Sequence, residues 1–354
     1  MTALKSILLR QITAQGPISV AEYMTLCLLH PKYGYYPSRD PFGTGGDFIT
    51  APEVSQMFGE LLGLFMAQVW LEQGSPAPFT LAELGPGRGT LMADMLRATQ
   101  KIPGFHASLQ LHLVEASPVL QQIQADRLAA YAPMFHQSAD ALPDQPLYLI
   151  ANEFFDALPI RQFMRIGDGW AERVVAAKDG DLCFGLTPPA HLAALSHRLP
   201  DTSDGMMVEL CAPALPVMEA LQTRIKTFGG VALIIDYGDW RSRGDTLQAM
   251  RQHAYDDPLA HPGEADLTAH VDFEALARAS APLRASPLTP QGAFLRRLGL
   301  EMRAAQLAQN LSGPALQLHQ NAYRRLTHAE EMGHLFKVMG LVQPTAPTLP
   351  GLDG

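Results

Sequence analysis

Residues 81–91 read LAELGPGRGTL, so that an acid and three glycines alternate with other residues at Glu83, Gly85, Gly87 and Gly89. Apolar residues before the glycines predict a β-strand, and the residues after them predict a helix. Glycines let the chain turn tightly and let a ligand approach the backbone, while the first turn of the next helix offers free N–H groups. The run therefore indicates a nucleotide-type ligand site at a strand-to-helix junction.

Strands and helices alternate around this junction. The pattern predicts strands over 79–84, 109–114, 134–136 and 147–151, with helices over 90–99 and 117–131. An alternation of this kind implies right-handed crossovers and a parallel sheet. We therefore predict an α/β fold with a Rossmann-like sheet.

The pattern changes after the fourth strand. Two glycine-containing turns separate three short strand-like runs, which predicts a β-meander at about residues 160–190, inserted in the sheet domain. A helix around 214–227 and a strand over 231–236 follow. Beyond them we expect a helical insertion at about 240–330 and an edge strand near 335–342.

The N-terminal segment 1–75 is predicted to form a helical cap and lid. Apolar residues between positions 4 and 12 recur at helical spacing and predict a short docking helix. A long glycine- and proline-rich segment follows, and a helix is expected over about 52–72, capped by Thr50 or Ser55. Residues 76–354 then form the predicted Rossmann-like domain with its insertions.

Composition and charge exclude several classes of protein. The 354 residues are 47% hydrophobic and 17% charged, which suits a large core and argues against disorder. The net charge of −9 argues against a general nucleic-acid binder. No segment reads as a membrane span, and three widely spaced cysteines without a CxxC pair give no support for a metal site. Because the N-terminus lacks a signal-peptide core and reads as a docking helix rather than a transit peptide, we expect a cytoplasmic bacterial protein rather than one of the mitochondrial matrix.

The glycine spacing distinguishes between nucleotide cofactors. A dinucleotide site of the form GxGxxG would need a third glycine at the position of Thr90. No GK[ST] follows, so a P-loop is excluded. The pattern ExGxGxG is instead typical of the first motif of class I S-adenosyl-L-methionine (SAM) methyltransferases. In that motif a carboxylate such as Glu83 suits the amino group of the methionine moiety.

Two further elements support a SAM site. The predicted strand 109–114 is followed by Glu115 and Ala116, and an acid at the end of the second strand accepts hydrogen bonds from ribose hydroxyls. Ala139 and Asp140 fall where the loop after the third strand would meet the adenine. We therefore predict that these four residues bind the cofactor together with the glycine motif.

With these residues in place, the chain resembles the MidA-like methyltransferase family along essentially its whole length. The matching motifs are HPKYGYY (30–36), GDFITAPEVSQMFGE (46–60), ELGPGRGTL (83–91), NEFFDALP (152–159), IDYG (235–238) and DLTAHVDF (266–273). The resemblance implies a SAM-dependent enzyme that makes symmetric dimethylarginine on a protein substrate. It also implies a role in respiratory complex I assembly, with a quinone-module subunit of that complex as substrate. In this family residues 46–53 close over SAM, so Thr50 is expected to contact the cofactor.

Arginine methylation requires carboxylates that bind a guanidinium group. Because this group stays protonated at pH 7, the enzyme must align one nitrogen with the methyl donor and localise the charge. Asn152, Glu153 and Asp156 follow the fourth strand, at the sheet edge where such folds bind ligands. Glu153 resembles the first acid of the paired-glutamate loop of arginine methyltransferases and is the predicted guanidinium clamp. Asn152 and Asp156 are candidates to assist, and His270 is a second candidate for proton handling.

Two other functions fit the same residues. A SAM enzyme of this kind could act on a small molecule or on RNA, although an RNA enzyme should show a basic groove. A SAM-binding assembly factor could keep the glycine motif without turning over. The predicted clamp at Glu153 favours a cationic acceptor such as arginine.

Overall fold

A computed structural model describes residues 2–38 and 50–352 and divides them into two compact units. Unit 1 consists of the described residues of Met1–Phe48, Asp156–Ala214 and Arg241–Asp272. Unit 2 consists of those of Ile49–Phe155, Leu215–Trp240 and Phe273–Gly354.

The strands are numbered in chain order. They are β1 Ile18–Ser19, β2 Phe79–Leu84, β3 Leu109–Val114, β4 Met134–His136, β5 Leu147–Asn152, β6 Arg161–Ile166, β7 Gly169–Lys178, β8 Asp181–Leu186, β9 Met207–Leu210, β10 Gly230–Asp239, β11 Gln248–Arg251, β12 Ala254–Asp256, β13 Asp266–Thr268, β14 Val271–Asp272, β15 Arg284–Ala285, β16 Thr289–Pro290 and β17 Phe336–Val342.

The α-helices are numbered in the same way. They are α1 Ala3–Gln15, α2 Val20–Leu29, α3 Tyr35–Ser38, α4 Ala51–Val54, α5 Gln56–Glu72, α6 Thr90–Thr99, α7 Phe105–Ser108, α8 Pro118–Arg127, α9 Ala214–Phe228, α10 Phe273–Ala279, α11 Gln291–Arg297, α12 Leu300–Ala308, α13 Gly313–Thr327 and α14 Met332–Leu335.

The main sheet of unit 2 has the strand order β15-β17-β10-β5-β2-β3-β4. Strands β10, β5, β2, β3 and β4 are parallel, whereas β17 runs antiparallel to β10. The predicted strand–helix alternation is confirmed: β2, β3, β4 and α6 have the predicted bounds, and β5 extends one residue further. Because the central strands are parallel, their carboxyl ends meet at one sheet edge, where the chain places Glu83, Glu115 and Asn152.

Helix α5 forms much of the core of unit 2. It packs against α6 so closely that a Cβ at Gly63 would lie 2.7 Å from the Cα of Met95, so glycine is required at this crossing. The buried carboxylate of Glu60 on α5 lies 2.5 Å from Nη1 of Arg97 and 2.7 Å from Nε of Arg303. These two guanidinium groups compensate for burying the charge.

Unit 1 contains the predicted meander. Strands β6, β7 and β8 pair in succession with antiparallel register, and the sheet has the order β1-β7-β6-β9 with β8 on β7. Helices α1 and α2 bury apolar side chains such as Leu8 and Met24 in the same unit. A second, three-stranded sheet has the order β12-β11-β13.

The single helix expected over 52–72 is wrong, because α4 and α5 are separate. Ser55 is extended between them, with φ −163° and ψ 139°. Its side chain caps α5 by accepting a hydrogen bond from the N–H of Met57 at 3.2 Å. Thr50 precedes α4 but makes no side-chain capping bond there.

Other boundaries also differ from the sequence-based expectation. The helix expected over 117–131 ends at Arg127, and a 3-10 turn over Ala129–Tyr131 follows. The segment expected to be a helical insertion at 240–330 begins with the strands β11, β12 and β13. The meander groups with unit 1, and the segment 1–75 is divided between the two units. Within the described ranges, the helices are too short or too polar to cross a membrane.

His112 is expected to make unit 2 sensitive to acid. This buried side chain on β3 has its Nδ1 2.8 Å from Nε2 of His136 on β4, and the two rings stack. Burial, with the adjacent imidazole contributing, lowers the pKa of His112 from 6.5 to about 4. As the pH falls, the unfolded chain therefore takes up a proton on His112 before the folded protein does. The free energy of unfolding is thus undiminished by this group above pH 6.5 and decreases as the pH falls from 6.5 toward 4.

We expect the free energy of unfolding to be lower by about 1 kcal/mol at a pH of about 5.5 than at about 7.5 through this one group. Urea unfolding at both pH values measures it, and the difference should shrink in His112→Gln. An unchanged difference in that variant would contradict the assignment.

Candidate active site

The glycine-rich loop joins β2 to α6 in a conformation that favours glycine. Gly85, Gly87 and Gly89 have φ angles of 59°, 54° and 74°. The N–H of Gly85 donates to the carbonyl of Val114 at 3.0 Å, which fixes the loop against the end of β3. A Cβ at Gly85 would lie 3.1 Å from the ring of Phe154, so the close approach of the two segments also requires a small residue.

Glu83 is a buried acid near the end of β2, only 3% exposed. Its Oε2 has no hydrogen-bond partner among the residues that the structure describes. Burial, and second the charge of Glu115, raises the pKa of Glu83 to about 8. A buried acceptor left unpaired costs about 1–3 kcal/mol, and a cationic donor from a ligand would relieve that cost. The amino group of SAM is such a donor, so the residues present fit this cofactor.

Glu115 is held beside the same loop. Its Oε1 accepts a hydrogen bond from the N–H of Ser117 at 2.8 Å, and its Oε2 accepts one from Nε2 of Gln124 at 3.1 Å. The same Gln124 nitrogen donates to the carbonyl of Gly87 at 2.7 Å. Burial raises the pKa of Glu115, and the Ser117 N–H opposes this effect. Gln124 thus connects the acid to the glycine-rich loop.

Sequence reasoning missed Gln124. Its only signal is a polar residue in an apolar helical stripe, four residues from Leu120 on one side and from Leu128 on the other. Its burial becomes visible only when α8 is packed beside the loop.

The other predicted cofactor residues lie on the loops that follow β3 and β4. Ala116 is exposed directly after Glu115. Ala139 is buried and Asp140 is exposed in a 3-10 turn over Ala139–Ala141. A hydrogen bond from Ser138 is the main cause that holds the pKa of Asp140 low. These loops and the glycine-rich loop all leave the carboxyl ends of parallel strands.

Glu153 follows β5 in an uncommon backbone conformation, with φ 52°. Its N–H donates to the carbonyl of Ile235 at 2.9 Å. Its Oε1 accepts hydrogen bonds from the N–H of Ala51 at 3.0 Å and from Nδ2 of Asn152 at 3.1 Å. Because Ala51 is the first residue of α4, the carboxylate lies at a helix N-terminus.

Two oxygens at this point accept no hydrogen bond from the described residues. The hydrogen bonds that described residues make to Glu153 both end on Oε1, which leaves Oε2. Oδ1 of Asn152 is buried without a hydrogen-bond partner among the described residues. Burial raises the pKa of Glu153, and the Ala51 and Asn152 donors oppose this effect. A ligand with several N–H donors, such as a guanidinium, fits this pair of acceptors.

The structure brings the predicted guanidinium clamp and the predicted cofactor loop together. The ring of Phe154, next to Glu153, covers Gly85. The following N–H, that of Phe155, donates to Oδ2 of Asp236 at 3.0 Å, which anchors the turn to the end of β10.

The roles of the two remaining catalytic candidates stay predictions. Asp156 and His270 belong to unit 1, where the carbonyl of Asp156 accepts from the N–H of Ala269 at 3.0 Å and the N–H of His270 donates to Oγ1 of Thr246 at 2.8 Å. The predicted lid over 46–53 lies outside the described residues except for its last four positions.

Known proteins resemble this chain over most of its length. Residues 61–290 match a family described as "Putative S-adenosyl-L-methionine-dependent methyltransferase". The mitochondrial protein arginine methyltransferase NDUFAF7 of Xenopus tropicalis is 37% identical, with 99% of this chain and 89% of the relative covered. Its human counterpart is 36% identical, with 95% of this chain and 82% of the relative covered.

Two solved structures have a similar fold over nearly the whole length of this chain. A superfamily member from Burkholderia thailandensis, crystallised with S-adenosyl-homocysteine (SAH), has a TM-score of 0.82 and 29% identity over 99% of this chain and 93% of that one. A native crystal structure from the same organism has a TM-score of 0.78 and 28% identity, covering 99% of this chain and 92% of that one.

These findings correct one expectation and confirm others. The expected cytoplasmic location is wrong, because the curated relatives that match nearly the whole chain are named as mitochondrial. The Rossmann-like fold and SAM as cofactor are confirmed. The chain belongs to the family of S-adenosyl-L-methionine-dependent methyltransferases that this match defines.

Proposed function

We propose that the protein transfers the methyl group of SAM to an arginine side chain of a protein substrate. The observation that carries the proposal is the pair of acceptor oxygens, Oδ1 of Asn152 and Oε2 of Glu153, beside the glycine-rich loop. A guanidinium offers a planar set of N–H donors that matches such a pair. The relatives named as protein arginine methyltransferases support the same acceptor.

The cofactor roles follow from the charges and exposure of the residues. Glu83 binds the amino group, because its buried oxygen needs a donor. Glu115 binds the ribose hydroxyls, and Asp140 binds the adenine. The other residues that we assign to cofactor contacts are Thr50, Gly85, Gly87, Gly89, Ala116 and Ala139. When bound, SAM supplies an electrophilic methyl group on a sulfonium centre.

Glu153 holds and orients the acceptor in this proposal. Its Oε1 is fixed by Ala51 and Asn152, so the carboxylate is held in place before the guanidinium binds to Oε2. Localising the positive charge on the bound nitrogens leaves the remaining nitrogen more nucleophilic. Oε2 of Glu153 is also the acceptor for the one proton that the bound guanidinium loses when it is methylated, taken from a nitrogen that Oε2 contacts, and the raised pKa of Glu153 suits that role. Asp156 and His270 stay predictions for the same reaction.

The finer assignment follows the family resemblance. We propose symmetric dimethylarginine as the product and a quinone-module subunit of respiratory complex I as the substrate. The experiment incubates the protein with isotope-labelled SAM and with extract from cells that lack the gene. Labelled residues are then mapped by mass spectrometry.

We expect label on an arginine of a complex I subunit. Label on RNA or on a metabolite would contradict the protein acceptor. Binding of SAM without any transfer would contradict turnover and favour an assembly factor.

A further inference from the structure

Arg224 on α9 is a buried cation, 7% exposed, and its hydrogen bonds go to backbone carbonyls. Its Nη2 donates to the carbonyl of Asp140 at 2.6 Å and to that of Leu142 at 2.5 Å. Its Nε donates to the carbonyls of Leu142 at 3.0 Å and of Pro143 at 3.2 Å. Its Nη1 donates to the carbonyl of Ala220 on its own helix at 3.1 Å.

An ion pair does not explain this arrangement. The carboxylate recorded beside Arg224 is that of Asp144, at 3.8 Å, and its side chain is 78% exposed. A pair of this length and exposure contributes little. The guanidinium is therefore placed to bind the backbone of the loop 139–143, which follows β4.

The loop 139–143 has little backbone hydrogen bonding of its own. At the turn Ala139–Ala141, the N–H of Ala141 donates to the carbonyl of Ser138 at 3.3 Å. The N–H of Leu142 donates to the carbonyl of Ala139, also at 3.3 Å. Both bonds are long. Three of the four carbonyls that Arg224 binds lie on this loop, so the guanidinium of Arg224 supplies the contacts that fix the path of the loop.

We propose that Arg224 is a positioning residue that fixes the loop 139–143 so that Asp140 reads the exocyclic amino group of adenine. The inference rests on the proposed adenine contact of Asp140. An ionised carboxylate accepts from the 6-amino group of adenine, whereas hypoxanthine offers an oxygen at that position and is repelled. If the loop were not held in one conformation, the protein would bind adenine and hypoxanthine equally well.

The test compares two ligands on three proteins. SAH and its deaminated analogue S-inosyl-homocysteine are titrated calorimetrically into the wild type, Arg224→Met and Lys226→Met. Lys226 is the matched control, because it is an exposed cation on the same helix whose side chain makes no hydrogen bond or ion pair with the described residues of the loop. The assay needs no methyl acceptor, so it is independent of the arginine assignment.

We expect the wild type to prefer SAH by about tenfold, in line with the cost of one unpaired polar contact. Arg224→Met should lose about tenfold in SAH affinity and keep its affinity for the inosyl analogue, so the preference disappears. Lys226→Met should behave as the wild type. If Arg224→Met lost equal affinity for both ligands, Arg224 would have a merely structural role and the proposal would be overturned. An unchanged preference for SAH in this variant would overturn it as well.

A second variant covers the case in which Arg224→Met does not fold. Arg224→Lys keeps the charge but loses the fork, so it should also lose the preference for SAH. Wild-type preference in the lysine variant would overturn the proposal. A wild type that binds SAH without any preference would contradict the Asp140 contact, whereas a wild type that does not bind SAH would contradict the proposed cofactor site itself.

Discussion

Replacing Glu153 by glutamine is expected to lower kcat for methyl transfer by about 10²–10³-fold. Glutamine keeps an oxygen for the N–H of Ala51 and for Nδ2 of Asn152, so the turn after β5 should persist. It removes the negative charge that the guanidinium needs and the acceptor for its proton. Single-turnover rates at saturating SAM measure the effect.

The control separates chemistry from cofactor binding. The Kd for SAH should change less than about threefold in Glu153→Gln, because the charge of Glu83 is untouched. Glu330→Gln, which neutralises an exposed acid of unit 2, should leave both quantities at wild-type values. A full rate in Glu153→Gln, or a loss explained wholly by weaker SAH binding, would contradict the clamp.

Replacing Glu83 by glutamine is expected to weaken SAH binding by about 10²-fold while stabilising the free protein. The ligand amino group loses a charged partner, which accounts for the weaker binding. The gain in stability follows from the pKa of Glu83, which burial raises from 4.5 to about 8. The folded state of the wild type therefore binds a proton that the unfolded state has released, and the stability from this group falls as the pH rises from 4.5 to 8.

Glutamine is neutral at every pH and avoids this loss. We expect Glu83→Gln to raise the free energy of unfolding by about 3 kcal/mol at a pH of about 7.5, with little gain at a pH of about 4.5. Urea unfolding at both pH values measures the difference. In the wild type, SAH affinity should also rise with pH toward 8, since binding must release the Glu83 proton, and this slope should be absent in the variant. A less stable variant would contradict the account of Glu83.

Sequence alone predicted the parts of the site that are local. Alternating strands and helices predicted the parallel sheet, and acids at or just beyond the ends of apolar strands predicted Glu83, Glu115 and Glu153 at one edge. The three loop glycines predicted a tight turn, and all three have positive φ angles there.

The parts that depend on packing could not be predicted. The contact between Ala51 and Glu153 joins residues 102 positions apart, and the contact between Arg224 and Asp140 joins residues 84 positions apart. Neither leaves a periodic signal in the chain. The break at Ser55 arises from its extended backbone, which local helix propensity over 52–72 does not reveal.

The most direct test of the central claim is the chemical identity of the residue that receives the methyl group. Protein labelled by the wild type from isotope-labelled SAM is hydrolysed to amino acids, and the methylated products are separated chromatographically. We predict label in symmetric dimethylarginine, formed by the wild type and nearly absent with Glu153→Gln. Label in methyl-lysine or methyl-histidine, or arginine labelling that survives in Glu153→Gln, would contradict the account.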